Sequence, residues 1–378
     1  MLRPQINAMK TKKHILVPID FSQLSIQAVD LAKNLASASG ATVHLAHVHQ
    51  LYSPAGLTAT MPLAMPFSVP DYEQEIEKRR TNQLRELAAQ HQLQRPVCHI
   101  CTGAPAYDEL CNLAKEIPAD LIVMPTHGHT GLKHLFLGST AERVIQHAPC
   151  PVLVTRQLKG RPSDASADLP ARSILVPVDF SDCSVDGLAY AIDFAKEFGA
   201  KIIVQHVVDL GPIYMADSYG VYDLSKYREM VRVNAKQQMR EFVQLAKFGS
   251  VPFEAVVTIG SAVWEICDLA ENRRVDLIIT STHGRTGFEH VLIGSTAEQV
   301  VRHAPCSVLV VPSHPKTRTE NLLRRSIGTG KTMAGTVRTT PRAAVQTKRL
   351  TRKYWKQNVH AFPERRATNK FRESHLVR

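Results

Sequence analysis

ILVPIDFS, at residues 15–22, returns as ILVPVDFS at residues 174–181. Each copy opens on an apolar run without polar alternation, the pattern of a strand covered on both faces in a parallel sheet. Each closes on Asp-Phe-Ser, which sets Ser22 and Ser181 where a hydroxyl caps the following helix. Beyond the cap, Ile26, Val29, Ala32 and Leu35 in one copy, and Val185, Leu188, Ile192 and Ala195 in the other, recur near the 3.6-residue period of a helix. Gly40 and Gly199 then stand where a helix end wants a positive φ.

The repeat continues outward from this unit. THGHTG at 126–131 matches THGRTG at 282–287, GSTAE at 138–142 returns at 294–298, and HAPC at 147–150 returns at 303–306. Each unit is about 140 residues long, the size of one domain. Within it come a second strand (ATVHLAHVH, AKIIVQHVV) and a charged amphipathic helix, about 72–92 in one copy and 224–247 in the other. A third strand, a helix from near Pro105 or Ala262, and a fourth strand (DLIVMPT, DLIITST) follow. A short helix from Ser139 or Ser295 and a fifth strand (PVLVTR, SVLVVP) complete the unit. Five strands alternating with helices predict α/β domains of flavodoxin-like or Rossmann-like type. Each is a doubly wound, five-stranded parallel sheet with helices on both faces and a ligand crevice outside the carboxyl ends of its strands. The expected boundaries are 12–156 and 172–312 for the two domains, 157–171 for a linker rich in Pro, Ser, Asp and Ala, and 313–378 for a tail.

Charge is distributed unevenly along the chain. Of 46 Lys and Arg and 34 Asp and Glu, the tail from Ser313 to Arg378 holds 17 and three, leaving 29 against 31 for the first 312 residues. The basic excess therefore belongs to the tail, which reads as a solvated, disordered extension. Its alternative reading is a contact for nucleic acid or an acidic surface, with Tyr354, Trp355, Phe362 and Phe371 interleaved among the cations. No stretch reaches the roughly 18 consecutive apolar residues of a membrane span, and the N-terminus lacks a secretory pattern, so a cytoplasmic protein is expected. The odd number of cysteines, seven, agrees with that compartment. Cys98 and Cys101 form a CxxC inside a strand, where residues three apart point to opposite faces, so two packing thiols are expected there. Cys150 and Cys306, ahead of the fifth strands, are likewise read as packing residues.

After the fourth strand the chain reads Gly128, nine residues, then Gly138-Ser139-Thr140, and in the second copy Gly284, nine residues, then Gly294-Ser295-Thr296. Glycines let backbone N–H groups approach a ligand, and a helix start with hydroxyl side chains favours an anion. Asp20 and Asp179 end the first strands on the same rim, where a carboxylate accepts hydrogen bonds from a sugar or base. Phosphoryl transfer is not expected, because neither loop has a Walker lysine. IGTGKT in the tail ends like a phosphate-binding loop, yet Arg325 stands where its first glycine belongs. The histidines at 127, 129, 134, 283 and 290 are accompanied by no Cys or Glu pair and are read as loop or solvent-facing residues rather than a zinc site.

These motifs resemble the universal stress protein family, with its Gly-x2-Gly-x9-Gly-Ser/Thr signature, over residues 12–156 and 172–312. The resemblance implies an ATP site, with or without magnesium, at Asp20, Val48, Met124, His127, Gly128, Gly138, Ser139 and Thr140. In the second copy it implies Asp179, Val207, Thr280, Ser281, His283, Gly284, Gly294, Ser295 and Thr296. The first signature glycine is replaced by Pro125 in copy one and Ser281 in copy two; proline has no N–H to donate, so the second domain is expected to bind nucleotide better. The expected function is an adenine-nucleotide-binding stress-response module, not a turnover enzyme, with at most slow ATP hydrolysis. The alternative is a nucleotide-free scaffold. The resemblance also implies pairing through the fifth strands, either as an intramolecular pseudo-dimer or as a homodimer, and the sequence leaves both open.

Overall fold

The computed structural model describes residues 14–49, 69–127, 137–156, 171–210, 224–282 and 294–312. The tail and linker residues 157–170 lie outside the described residues, as do Gly128, His283, Gly284 and the histidines at 129, 134 and 290.

The first half contains β1 (His14–Pro18), α1 (Gln23–Ser39), β2 (Thr42–His49), α2 (Val69–Gln90), β3 (Val97–Thr102) and α3 (Ala106–Glu116), then β4 (Leu121–Pro125), α4 (Ser139–His147) and β5 (Val152–Thr155). The second half repeats it as β6 (Ser173–Pro177), α5 (Asp182–Phe198), β7 (Lys201–Val208), α6 (Leu224–Leu245), β8 (Phe253–Ile259) and α7 (Ala262–Asn272), then β9 (Leu277–Ser281), α8 (Ser295–His303) and β10 (Ser307–Val311). Ser22 and Ser181 cap α1 and α5 by accepting from the amides of Ser25 and Ser184, and Gly40 and Gly199 end these helices at φ 71° and 67°.

The ten strands of the described residues join one sheet in the order β3-β2-β1-β4-β5-β10-β9-β6-β7-β8. Within each half the order is 3-2-1-4-5 and every pairing is parallel, which is the Rossmann variety of the doubly wound sheet. The halves meet where β5 and β10 pair antiparallel, Val154 opposite Val308, Leu153 opposite Leu309 and Val152 opposite Val310. Because that one pairing is antiparallel, the carboxyl ends of the two sets of strands point to opposite ends of the sheet. One face packs Ile15, Val17, Leu153, Leu309 and Val311 beneath α1, α2, α5 and α6. The other packs Leu16, Ile122, Val152, Val308 and Val310 beneath α3, α4, α7 and α8. Cys98 joins the first face and Cys101 the second, as their spacing predicts, and Cys150 and Cys306 are buried in the second.

In the first half a row of histidines breaks the apolar second face. His14, His44 and His99 stand side by side on β1, β2 and β3, with His14 Nδ1 2.9 Å from His44 Nε2 and His44 Nδ1 2.9 Å from His99 Nε2. At the matching positions of the second half the sheet carries Ser173, Ile203 and Val256. His44 is buried, and that burial, reinforced by its two imidazole neighbours, pushes its pKa down to about 4. Burial also lowers His99, against the opposing pull of Glu116. A histidine with a folded pKa below its unfolded value binds its proton more readily when unfolded. Its contribution is therefore intact above pH 6.5 and lost as the pH falls from there through about 4. Urea unfolding across pH 7 to 4 should reveal a loss of up to about 3 kcal/mol. His44→Ile should flatten that slope, and an unchanged slope would show that the acid sensitivity arises elsewhere.

Candidate functional site

In a doubly wound sheet the crevice lies where the strand order reverses, here between the tips of β1 and β4 and, in the second half, of β6 and β9. Two backbone devices shape each crevice. The first begins the short helix: the Gly138 N–H donates to Thr126 O at 2.7 Å, and the Gly294 N–H to Thr282 O at 2.6 Å. These bonds tie the starts of α4 and α8 to the tips of β4 and β9. A Cβ on Gly138 would stand 3.3 Å from His127 Cα and 3.4 Å from Thr126 O, so the close approach depends on glycine. Glycine at the cap position gives neither helix a side-chain cap of its own, and Ser139, Ser295 and Thr296 are exposed there. An uncapped helix start with its dipole favours an anion.

The second device is the Asp-Phe-Ser turn. Phe21 and Phe180 adopt left-handed φ values of 62° and 63°, a conformation that costs a side-chain-bearing residue roughly 1–2 kcal/mol. Asp20 Oδ1 accepts from the Ser22 amide at 2.9 Å. Asp179 Oδ1 accepts from the Ser181 amide at 3.1 Å, from Ser181 Oγ at 2.6 Å and from Ser184 Oγ. Behind each turn a histidine donates from Nδ1 to the carbonyl before the Asp, His47 to Ile19 at 2.7 Å and His206 to Val178 at 2.8 Å. The Phe rings lie against these imidazoles, with centroids 4.9 and 4.1 Å apart. Burial pushes the His47 pKa down, consistent with a neutral ring.

Of the residues singled out in the sequence, Asp20, Val48, Met124, His127, Gly138, Ser139 and Thr140 gather around the carboxyl-end rim of the first half. Asp179, Val207, Thr280, Ser281, Gly294, Ser295 and Thr296 gather around that of the second. Val48 and Val207 are half-buried on the face covered by α3 and α7, and Met124 is buried in the core of that face. His127 Nδ1 lies 3.0 Å from Thr126 Oγ1. The aspartates, read as ligand acceptors, also serve as ties of their own turns. His47 and His206 were not singled out, although each recurs one residue before Val48 and Val207; their retention in both copies was the available signal. Among the described residues no cluster of three or more His, Cys, Asp or Glu side chains could hold a metal ion.

The fold and rim thus define a pair of Rossmann-like domains, each with a glycine-opened helix start at its switch point. A model of the universal stress protein family matches residues 12–156 and 170–312, and the chain belongs to that family of stress-response proteins as a tandem of two such domains. It is 33% identical over 145 residues to the universal stress protein MJ0531 of Methanocaldococcus jannaschii, a match covering 38% of this chain and 84% of that protein. It is also 35% identical over 141 residues to universal stress protein A homolog 1 of Coxiella burnetii, covering 37% and 94%. A universal stress protein structure from Archaeoglobus fulgidus, 18% identical, superposes with a TM-score of 0.53 over 80% of this chain and 97% of that one. A putative universal stress protein from Pseudomonas aeruginosa, 20% identical, gives 0.51 over 80% and 94%. Among the described residues no helix is long and apolar enough to cross a membrane.

The Asp179 turn carries a measurable structural load. Asp179→Ala removes the acceptor of the Ser181 amide, Ser181 Oγ and Ser184 Oγ and should cost about 2–3 kcal/mol in urea unfolding. A loss below about 0.5 kcal/mol would mean that these bonds contribute nothing to stability.

Proposed function

We propose that this chain is an adenine-nucleotide-binding regulatory module, taking ATP at the rims of its halves and holding it without efficient turnover. The observation that carries the reading is the uncapped helix start clasped to a strand tip, present in both halves at Gly138 and Gly294. A phosphate there would meet backbone N–H groups and the hydroxyls of Ser139 and Thr140, or of Ser295 and Thr296. Asp20 and Asp179, fixed by their turns at the facing strand tips, would accept from the sugar. Gly138 and Gly294 are each followed directly by Ser rather than by the Lys of a Gly-Lys-Ser/Thr phosphoryl-transfer loop, which favours binding over catalysis. Any magnesium would arrive with the nucleotide's own oxygens.

The two rims differ in one respect that predicts unequal affinity. Pro125, the last residue of β4, has no N–H to offer, whereas Ser281 at the end of β9 keeps its amide. The second half is the tighter site. Pro125 also favours a second reading, in which the first half is a nucleotide-free scaffold for the other.

Nucleotide released from the purified chain by acid, followed by ATP titration in a calorimeter, tests this proposal. Adenine nucleotide at up to two sites is expected. Gly294→Val should abolish the tighter site, and Gly138→Val the weaker one or nothing at all. No nucleotide in the extract and no heat at millimolar ATP would overturn the reading.

A further inference from the structure

The pairing of β5 with β10 is symmetric in its backbone, with Leu153 opposite Leu309 at its centre, so residues 156 apart in sequence occupy equivalent places on the two sides. The side chains that flank it are not symmetric. From the first half, Arg156 Nη2 donates to the carbonyls of Val301 at 3.1 Å and Arg302 at 2.8 Å, covering the carboxyl end of α8, while its backbone amide donates to Ser307 Oγ at 3.1 Å. A cation at the C-terminus of a helix complements the dipole and its unpaired carbonyls. From the second half, Arg302 reaches back across the seam to Glu142 Oε2 at 2.9 Å and also holds its own Glu298 Oε1 at 2.8 Å. Arg302 is only 20% exposed, so this bridge is shielded more than a surface pair.

At the equivalent positions, Pro312 matches Arg156, Pro151 matches Ser307, and Gln146 matches Arg302, while Glu142 and Glu298 match each other. Two first halves joined through β5 would bring a pair of Glu142 carboxylates together without the intervening arginine, and would leave the Arg156 amide facing Pro151. Two second halves joined through β10 would strip the guanidinium from the end of α8, and Pro312 has no N–H for Ser307. Two second halves would keep Arg302 on Glu298, but only a first half against a second half makes the Arg156 contacts together with the Arg302–Glu142 bridge.

We propose that Arg156, Arg302 and Glu142 make the fifth-strand seam heterotypic, so that β5 of this chain accepts β10 and does not pair with another β5. The chain therefore closes on itself and does not trade fifth strands with like halves of other copies. The short connection between Arg156 and Ala171 keeps the complementary half at high effective concentration.

Hydrogen exchange of the β5 and β10 amides in the full-length chain, read alongside native mass, tests the lock. Arg302→Glu sets three carboxylates together and should speed seam exchange by about ten-fold or more. Glu142→Arg combined with Arg302→Glu restores one cation between two anions and should recover most of the protection. Arg302→Gln, which copies Gln146, is the milder variant should the reversal fail to fold, and should give an intermediate loss. Arg143→Gln, on the exposed side of α4, should leave the seam unchanged. Wild-type protection in both Arg302 variants, or a reciprocal swap as exposed as the single reversal, would overturn the proposal.

Discussion

Three antiparallel residue pairs, Val154 with Val308, Leu153 with Leu309 and Val152 with Val310, hold the two halves in one sheet. A parallel five-stranded sheet has an edge on each side, and here the fifth strands are apolar on both faces. Left unpaired, they would present bare amides and carbonyls beside exposed Leu and Val, a template for association. Their mutual pairing removes both edges at once. It also merges the cores: Leu153 and Leu309 lie among residues of both halves on one face, as do Val152, Val154, Val308 and Val310 on the other. The antiparallel sense of this one pairing then sends the two switch points to opposite ends of the sheet, so no single ligand can bridge them.

Much of this frame is written locally. Unbroken apolar runs such as ILVPI give buried parallel strands, Ser22 and Ser181 give caps, and Gly40 and Gly199 give left-handed stops, because each depends on neighbours within one turn or one strand. Helix ends are less legible: the charged helices expected at 72–92 and 224–247 span Val69–Gln90 and Leu224–Leu245, since an amphipathic pattern marks the packed middle of a helix better than its fraying ends. The local reading also gave Asp20 and Asp179 one duty where the structure gives them a second. A carboxylate two residues before a cap is a general turn acceptor, and only the left-handed Phe between them reveals how tightly the turn is drawn. His47 and His206 escaped because their partners, Ile19 and Val178, lie 28 residues away on a neighbouring strand. The choice of fifth-strand partner escaped for the same reason: a short apolar strand carries no mark of which apolar strand will face it.

The copies have kept their backbone devices and diverged inside. His14, His44 and His99 run across the first half where the second has Ser173, Ile203 and Val256. Conversely, Gln205 is fully buried in the second half, donating to Thr258 Oγ1 at 3.1 Å and Glu265 O at 3.0 Å, where the first half has Ala46. Buried polar groups are expensive unless partnered, and the Gln205 amide nitrogen finds both its partners within its own half, while its Oε1 has none among the described residues. The clasp at Gly138 and Gly294, the left-handed Phe21 and Phe180 and the bond from each aspartate to the cap amide are kept in both halves. Backbone geometry at the rims has been held while the interiors have drifted.

Helices α4 and α8 connect the rims to the seam. Each is nine residues long, with its glycine-opened start at a strand tip; Glu142 and Glu298 lie one turn along, and the far end of α8 carries Arg302 and the carbonyls that Arg156 covers. An α-helix is stiff over such a length, so the position of Gly294 at its strand tip and that of Arg302 at the seam are fixed together. At the seam Arg302 meets a discrete arrangement of charges, one guanidinium between two carboxylates, instead of a soft apolar contact. Such an arrangement makes particular bonds rather than a diffuse contact, so the register of α8 against α4 is set by named side chains where the two halves meet.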